Sequence, residues 1–295
     1  MSCDLISSLL SRPDLAGVPA VLLFGGPYVV LDGIRLEVPD GSKRLLVFVA
    51  LSAGQVDRRF AAGSLWPVGN DDRAAGNLRS ALWRLRCAGI DLVESDKRSL
   101  RLRPGTVVDV SLVCDWAARL VDGSATQADL RVGNWHLDAV ELLPGWYDDW
   151  VIFERERIRQ YLLHALEILS RRLAAAGRCA EAVATAISAV SADPLRESAH
   201  RVLIEAHLAE GNLAEGRRAY DRYRAIARRE LGVEPGRELT SLIGSVRPRC
   251  APGPDAAGPP AQVAAARATV RSDKKLNLSP ERSVVTRSPN PVSAN

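Results

Sequence analysis

The chemistry that this sequence most clearly offers is anion binding by the ten residues Asn77–Arg86, NLRSALWRLR. Leu78, Leu82 and Leu85 recur at i, i+4 and i+7, which predicts a helix with one apolar face. Arg and Asn side chains can hydrogen-bond base edges bidentately, and Ser suits phosphates. The face opposite the leucines would carry such side chains without a carboxylate among them: Asn77, Arg79, Ser80, Arg84 and Arg86. This pattern favours a nucleic-acid partner, and a basic surface helix with no ligand is the alternative that the stretch alone leaves open.

The net charge of the chain is small, because basic and acidic regions offset each other. The 295 residues carry a formal charge of +4, made up of +2 over residues 1–110, −3 over 111–246 and +5 over 247–295. Only one stretch of the N-terminal region, residues 79–103, is strongly basic, with seven positive residues against three negative ones. A nucleic-acid site would therefore be a local patch rather than a whole basic domain.

The sequence lacks the residue patterns of common catalytic and metal sites. No phosphate-binding GxxxxGK[ST] loop, GxGxxG, HExxH or GxSxG motif is present. The five cysteines are dispersed without a CxxC pair, and His200 and His207 have no third ligand at a suitable spacing. We therefore predict no enzyme activity, no cofactor and no metal. The absence of a membrane-length apolar run and of a signal-peptide pattern predicts a cytoplasmic, nucleoid-associated protein with no membrane partner.

The elements that would position the basic helix begin at Ala20. Three β-prone runs, AVLLF, YVVL and IRLEV, predict a small antiparallel meander, with Asp32-Gly33 as a two-residue hairpin turn. Three helices should follow: one capped by Ser42, one over residues 58–65, and the basic helix, capped by Asp71 or Asp72 and ending near Gly89. The runs IDLVES and SLRLRP then predict a hairpin. This order of elements is that of a winged helix-turn-helix.

A winged helix assigns a role to each basic residue. Asn77, Arg79, Ser80 and Arg84 would face the major groove, and Lys97 and Arg98, at the tip of the wing, would meet phosphate or the minor groove. Lys43 and Arg44, at a helix N-terminus, would contact the DNA backbone. Arg86 would either join them or brace the wing. For Trp83 we expect packing on the wing, with contact to a sugar as the alternative.

From Asp109 onward the pattern is helical and contains a repeat. Gly177 and Gly211 are 34 residues apart, the period of the tetratricopeptide repeat. Ala182, Ala189 and Pro194 occupy that repeat's small-residue and proline positions after Gly177. The second copy is degraded. An aromatic-rich turn over residues 142–150 is expected to be a buried hinge between helical layers, with a ligand cage as the alternative.

Two motif sets carry a family resemblance. The leading meander, LWP after the second helix and NLRSALWRLR resemble the winged-helix domain of OmpR-type response regulators, and more closely that of the SARP-like activators (antibiotic regulatory proteins of actinomycetes). DPLRE (residues 193–197) and LGVEPG (residues 231–236) resemble the bacterial transcriptional activation domain that follows it in SARP-like proteins. The resemblance implies activation, contact with RNA polymerase, and a homodimer or tandem pair on direct repeats.

The sequence thus predicts an α+β winged helix-turn-helix over residues 20–108 and an all-α, tetratricopeptide-like domain over residues 109–246. A flexible lead-in (residues 1–19) and a disordered basic tail (residues 247–295) would flank them. The expected function is a sequence-specific regulator, most simply an activator, that binds double-stranded promoter DNA and contacts RNA polymerase. The alternative is a protein-interaction adaptor whose winged helix no longer reads DNA.

Overall fold

The computed structural model describes residue 15 and residues 17–52, 54–131 and 141–244. Most of the expected lead-in and all of the expected tail lie outside the described residues. The described residues belong to one compact unit that covers residues 1–248. Its elements, in chain order, are β1 (Ala20–Leu22), β2 (Tyr28–Leu31), β3 (Ile34–Glu37), α1 (Asp40–Leu51), β4 (Val56–Asp57), α2 (Arg58–Leu65), α3 (Asp71–Cys87), β5 (Val93–Ser95), β6 (Ser99–Leu102), β7 (Val107–Val108), α4 (Asp109–Val121), α5 (Asp149–Ala175), α6 (Cys179–Ala192), α7 (Glu197–Ala209), α8 (Leu213–Leu231) and α9 (Arg237–Gly244).

The N-terminal sheet contains the expected meander and one further strand. β1, β2 and β3 pair antiparallel, and Asp32 and Gly33 take the positive φ values of 50° and 77° that a two-residue hairpin turn requires. The hairpin prediction is confirmed. The sequence analysis missed β7, which joins β1 in parallel to give the order β3-β2-β1-β7.

Helices α1, α2 and α3 follow the sheet in the expected order, but two of the expected caps are wrong. Ser42 lies inside α1, fully buried, and its hydroxyl donates to the carbonyl of Ala81 in α3 at 2.8 Å. The hydroxyl therefore joins two helices instead of capping one. The side chain of Asn70, rather than that of Asp71 or Asp72, caps α3 by accepting from the amide of Arg73 at 3.0 Å.

The expected wing forms from β5 and β6, which pair antiparallel with Glu94 opposite Arg101. A short strand that the sequence did not predict, β4, pairs with β6 on its other edge and ties the start of α2 to the wing. Asp57 ends β4 and caps α2 by accepting from the amides of Arg59 and Phe60 at 2.9 and 2.8 Å. The wing is thus fixed to the helix-turn-helix by backbone pairing.

The helical part repeats one turn geometry at the expected spacing. Gly177 and Gly211 both adopt left-handed φ values, 76° and 80°, in the turns α5–α6 and α7–α8. In each turn the amide of the next residue returns to a carbonyl five residues earlier, from Arg178 to Leu173 and from Asn212 to His207. The tetratricopeptide-like repeat is confirmed, and the winged helix followed by this repeat is the fold class that the sequence predicted.

The LGVEPG segment closes the repeat through three kinds of contact. Gly232 ends α8 at a left-handed φ of 68°. Glu234 pairs with Arg224 and Arg228 on α8. The amide of Gly236 donates to the carboxylate of Glu197 at 3.0 Å, and a Cβ at Gly236 would approach that carboxylate to 2.4 Å. Glycine at position 236 therefore allows α9 to begin against α7.

The aromatic-rich turn packs against the N-terminal sheet, which corrects its expected position between helical layers. The amide of Leu143 donates to the carbonyl of Leu23 at 3.0 Å, and Arg155 donates to the carbonyls of Leu142 and Leu143 at 2.9 and 2.8 Å. Tyr147 is 82% exposed, so the turn is only partly buried. One apolar core runs from the sheet through α4 into α7 as a consequence of this packing.

Candidate nucleic-acid interface

Helix α3 buries its leucine face and exposes its basic face, as its sequence predicts. Leu78, Ala81, Leu82 and Leu85 are buried against α1 and α2. Asn77 is half-buried at the edge of the opposite face. The exposed side chains of that face are Arg79, Ser80, Trp83, Arg84 and Arg86. The Ser42–Ala81 hydrogen bond and the buried leucines hold this face in a fixed orientation on the surface.

One flank of the face is formed by the start of α1. The guanidinium of Arg84 lies over the first turn of α1, with Nη1 at 3.5 Å from the carbonyl oxygen of Gly41. A Cβ at position 41 would approach Nη1 to 2.7 Å, so glycine leaves room for the arginine. Lys43 pairs with Asp40 at 2.6 Å in the same turn. The structure therefore brings Arg84 and Lys43 to the same flank.

The other flank is formed by the wing and by Arg58, a residue that the sequence analysis did not select. Arg58 begins α2, and its guanidinium donates to the hydroxyl of Ser95 and to the carbonyl of Asp96, the latter at 3.3 Å. Partial burial, and then the nearby positive charge of Arg79, lower the pKa of Arg58. Arg58 and Arg79 therefore form a cationic pair beside the wing, which an anion would relieve.

The wing tip presents Lys97 and Arg98 on a turn that Asp96 organises. The Asp96 carboxylate accepts from the amides of Arg98 and Ser99 at 2.6 and 2.7 Å, and from the Ser99 hydroxyl at 2.7 Å. These hydrogen bonds, that of the Ser99 hydroxyl foremost, lower the pKa of Asp96. The carboxylate is thus occupied by its own turn, and the two cationic side chains extend from it fully exposed.

Several exposed cations of α3, of the start of α2 and of the wing tip have no acidic partner among the described residues. In the helical part, arginines pair repeatedly with carboxylates, as in Arg196–Glu167 at 2.6 Å and Arg171–Glu205 at 2.9 Å. Within the described ranges, no carboxylate oxygen lies at ion-pair distance from six cations of the winged helix: Arg59, Arg73, Arg79, Arg84, Lys97 and Arg98. Asp71 and Asp72 line the same 450 Å³ cavity as Arg59 and Lys97 without pairing with them.

The structure gives Arg44 and Arg86 partners within the protein. Arg44 forms an ion pair with Asp148, just before α5, so it lies at the contact with the helical part rather than on the α3 face. Arg86 lies 3.8 Å from Asp91, which also pairs with Arg103 of the wing strand at 2.5 Å. Of the two roles considered for Arg86, this geometry favours bracing the wing.

Trp83 does not pack on the wing. Its side chain is 66% exposed, in contrast to the packing expected from the sequence. The wing is instead attached by β4 and by the hydrogen bonds of Arg58. An indole is therefore presented to solvent between the two basic flanks.

Parts of the chain are similar to known proteins. Residues 117–247 match the family model of the bacterial transcriptional activator domain. The chain is 28% identical over 214 residues to the regulatory protein AfsR of Streptomyces griseus, a match that covers 68% of this chain and 21% of that protein. It is also similar to the solved structure of Mycobacterium tuberculosis EmbR in complex with a low-affinity phosphopeptide, with a TM-score of 0.59 and 20% identity over 77% of this chain and 64% of that one.

Residues 117–247 thus match the bacterial transcriptional activator domain, which supports the resemblance to SARP-like regulators. The similarity to EmbR supports the fold, in which a small sheet region precedes a helical domain. The chain spans 21% of the Streptomyces protein and 64% of the mycobacterial chain.

Two further properties concern the described part of the chain. None of its described helices combines the length and apolarity needed to cross a membrane. Over residues 17–52, 54–131 and 141–244, no three His, Cys, Asp or Glu side chains are grouped so that they could hold a metal ion.

The sequence contained a signal for Arg58 that the analysis overlooked. Asp57 is a good N-cap residue, and in DRRF it is followed directly by two arginines. A helix start that carries two adjacent arginines is a candidate anion contact, because the positive end of the helix dipole adds to the side-chain charge. What the sequence could not show was the pairing of β4 with β6, which brings Arg58 to the wing.

Proposed function

We propose that this SARP-like protein is a sequence-specific DNA-binding regulator that inserts α3 into the major groove of double-stranded promoter DNA. The observation that supports this most strongly is the set of exposed cations without acidic partners on α3, on the start of α2 and at the wing tip. Exposed cations attract phosphates, and a phosphate backbone running along both flanks of α3 would supply the counter-charges that the protein does not.

The proposed roles follow the two flanks and the centre of the face. Asn77, Ser80 and Arg84 face base edges, and Arg79, with Arg58 beside it, faces the groove edge next to the wing. Lys97 and Arg98 contact phosphate or the minor groove, and Lys43 contacts the backbone near the start of α1. Arg44 and Arg86 are left out of the interface, because Arg44 lies at the contact with the helical part and Arg86 lies beside Asp91, where it braces the wing.

We further propose that the helical domain makes the protein an activator by contacting RNA polymerase and a second copy on direct repeats. The family match over residues 117–247 supports this role. The start of α5 also exposes apolar side chains that a partner protein could cover: Ile152 is 44% and Phe153 is 74% exposed. The same exposed side chains favour the second candidate function, an adaptor that binds proteins without reading DNA.

The test is selection of genomic DNA fragments by the purified protein at two salt concentrations. We expect a recurring sequence motif that survives the higher salt, and a repeat of the motif about one helical turn apart if two copies bind in tandem. Fragments without a motif that are lost at the higher salt would reveal only nonspecific electrostatic binding, and would favour the adaptor function.

The activator role needs a separate measurement, which is transcription in vitro from a selected promoter with purified RNA polymerase. Phe153→Ala should reduce the stimulated transcript while leaving promoter binding unchanged, because α5 lies outside the DNA-binding face. Equal stimulation by Phe153→Ala and the unchanged protein would exclude Phe153 as the contact.

A further inference from the structure

Trp83 is a large apolar side chain exposed at the centre of a basic face. It is 66% exposed, in the middle of α3, one helical turn after Arg79 and Ser80. Arg84 follows it directly and leans toward α1, while Arg79 lies near Arg58 on the wing side. Tryptophan is among the costliest side chains to leave in water, so an exposed indole inside a charged surface marks a contact site.

The fold itself makes little use of this indole. Leu78, Leu82 and Leu85 carry the packing of α3 on the core. The aromatic contacts in the described part of the winged helix join Phe48 to Phe60 and Phe48 to Trp150, without Trp83. The wing is held by β4 and Arg58. Trp83 is thus available for a partner that approaches the α3 face.

Resting on the proposed function, we propose that the Trp83 indole determines specificity by packing on a thymine C5-methyl group in the major groove. That methyl is the one apolar group that a base pair displays there, and apolar side chains distinguish thymine by contact with it. Arg79 and Arg84 on either side would bind phosphates or base edges and hold the indole against the base.

The charges around Trp83 favour DNA over a protein as its partner. An apolar protein surface that covered the indole would also bury Arg79 and Arg84, neither of which has a carboxylate partner among the described residues. Burying unpaired guanidinium groups is unfavourable. A DNA groove offers an apolar methyl at its floor and phosphates along both edges, which matches this arrangement of side chains.

The experiment replaces each thymine of the selected site, one at a time, by deoxyuridine, which removes only the methyl group. Affinities are measured for the full chain, for Trp83→Ala, and for Tyr147→Ala as a control that removes an exposed aromatic ring from outside the α3 face. For the unchanged protein and the control, we expect one or two positions at which deoxyuridine weakens binding about fourfold, the effect of one buried methyl. For Trp83→Ala, thymine and deoxyuridine at those positions should bind equally.

Each other outcome has a distinct meaning. The proposed thymine contact is wrong if the unchanged protein binds its motif and no deoxyuridine replacement lowers its affinity. It is also wrong if the effect of the methyl group on affinity persists in Trp83→Ala. In both cases the proposed DNA recognition still stands. If the unchanged protein selects no motif, the proposed function fails and the contact fails with it. Thermal unfolding of Trp83→Ala should match the unchanged protein, because the indole is exposed.

Discussion

Basic side chains in this chain fall into two groups according to what surrounds them. Arg155 and Arg196 are held inside the helical domain by carbonyls and by the buried Glu167, so they stabilise the fold. Arg79, Lys97 and Arg98 are exposed and have no acidic partner among the described residues. Substitution of the first group should therefore lower stability, whereas substitution of the second should change binding.

Two substitutions separate base reading from phosphate contact. Arg84→Ala should weaken binding to the selected site by about 1–3 kcal/mol and relax the preference at one base position. Lys97→Ala should weaken binding to all sequences alike and lower the salt slope by about one. Arg217→Ala is the control, because Arg217 is an exposed arginine on α8, in the helical part. The measurement is titration of the site and of scrambled DNA over a range of salt. If both variants lose affinity equally for all sequences and keep the same specificity, the proposed contact of Arg84 with a base edge is wrong.

Asp109 is an acid whose environment opposes its charge. It is 1% exposed, and its carboxylate accepts from the amides of Leu23 and Phe24 at 2.8 and 2.9 Å, which joins α4 to the end of β1. Burial raises its pKa to about 6 despite these hydrogen bonds. The folded protein therefore binds the proton more tightly than the unfolded chain, where the pKa is 3.8.

The raised pKa of Asp109 predicts a pH dependence of stability. Asp109 contributes fully to the free energy of unfolding at a pH below its pKa in the unfolded chain. As the pH rises from about 4 to about 6, this contribution falls by roughly 3 kcal/mol. Asp109→Asn cannot ionise, so the free energy of unfolding of the unchanged protein minus that of the variant should fall over this range and then stay level. Urea unfolding at several pH values measures it. If this difference in the free energy of unfolding instead rises with pH, the amides that hydrogen-bond the Asp109 carboxylate keep it charged.

At the scale of elements, α3 carries a glycine that its structure does not require. Gly76 lies inside the helix, and a Cβ there would meet only the end of the Arg79 side chain, at 3.8 Å. Glycine in a helix interior costs about 1 kcal/mol relative to alanine. The position lies on the half of α3 that precedes Ser80 and Trp83, where the absence of a side chain lets a groove approach the backbone closely.

Gly76→Ala should therefore have opposite effects on stability and on binding. The free energy of unfolding of the variant should be about 0.5–1 kcal/mol higher, because alanine favours the helix and its Cβ meets no clash. Its affinity for the selected site should fall. Gly63→Ala in α2, where a Cβ would meet nothing within 4 Å, is the matched control for the gain in stability. Unchanged DNA affinity in Gly76→Ala would show that α3 does not approach DNA at this residue.

At the scale of the whole molecule, the winged helix and the helical domain share one core. Phe48 of α1 meets Trp150 of α5 edge to face, with ring centroids 5.3 Å apart, and Arg44 pairs with Asp148 beside them. Asp109 and Leu143 add hydrogen bonds to the end of β1. The proposed DNA contact on α3 and the proposed partner contact on α5 would therefore be linked through a packed joint rather than through a free linker.

The Arg44–Asp148 pair gives a test of this joint. Both side chains are partly exposed, at 42% and 25%, so Arg44→Gln and Asp148→Asn should each cost at most about 1 kcal/mol of stability, and the double variant less than their sum. Because Arg44 faces the joint, Arg44→Gln should leave the salt slope of DNA binding unchanged. Chemical unfolding and salt titration measure the two effects. If Arg44→Gln instead lowers the salt slope of DNA binding by one, Arg44 contacts a phosphate and belongs to the DNA interface.

The sequence by itself determined the features that depend on neighbours along the chain. The Asp32-Gly33 hairpin, the two-faced α3 and the glycines at 177 and 211 follow from turn chemistry and periodicity, which act within a few residues. Together with the LGVEPG segment, these local signals were enough to predict the order of elements and the bacterial transcriptional activator domain that residues 117–247 match.

Only the tertiary structure decided which partner each side chain meets. The two-residue strands β4 and β7 are too short to show a period, yet β4 places Arg58 beside the wing and β7 closes the sheet. Ser42 and Asp71 look like caps in sequence, but long-range packing buries the first and Asn70 takes the place of the second. Arg44 and Arg84 are both helical arginines that the sequence assigned to the DNA interface. Asp148, more than a hundred residues away along the chain, engages Arg44 and leaves Arg84 on the exposed face.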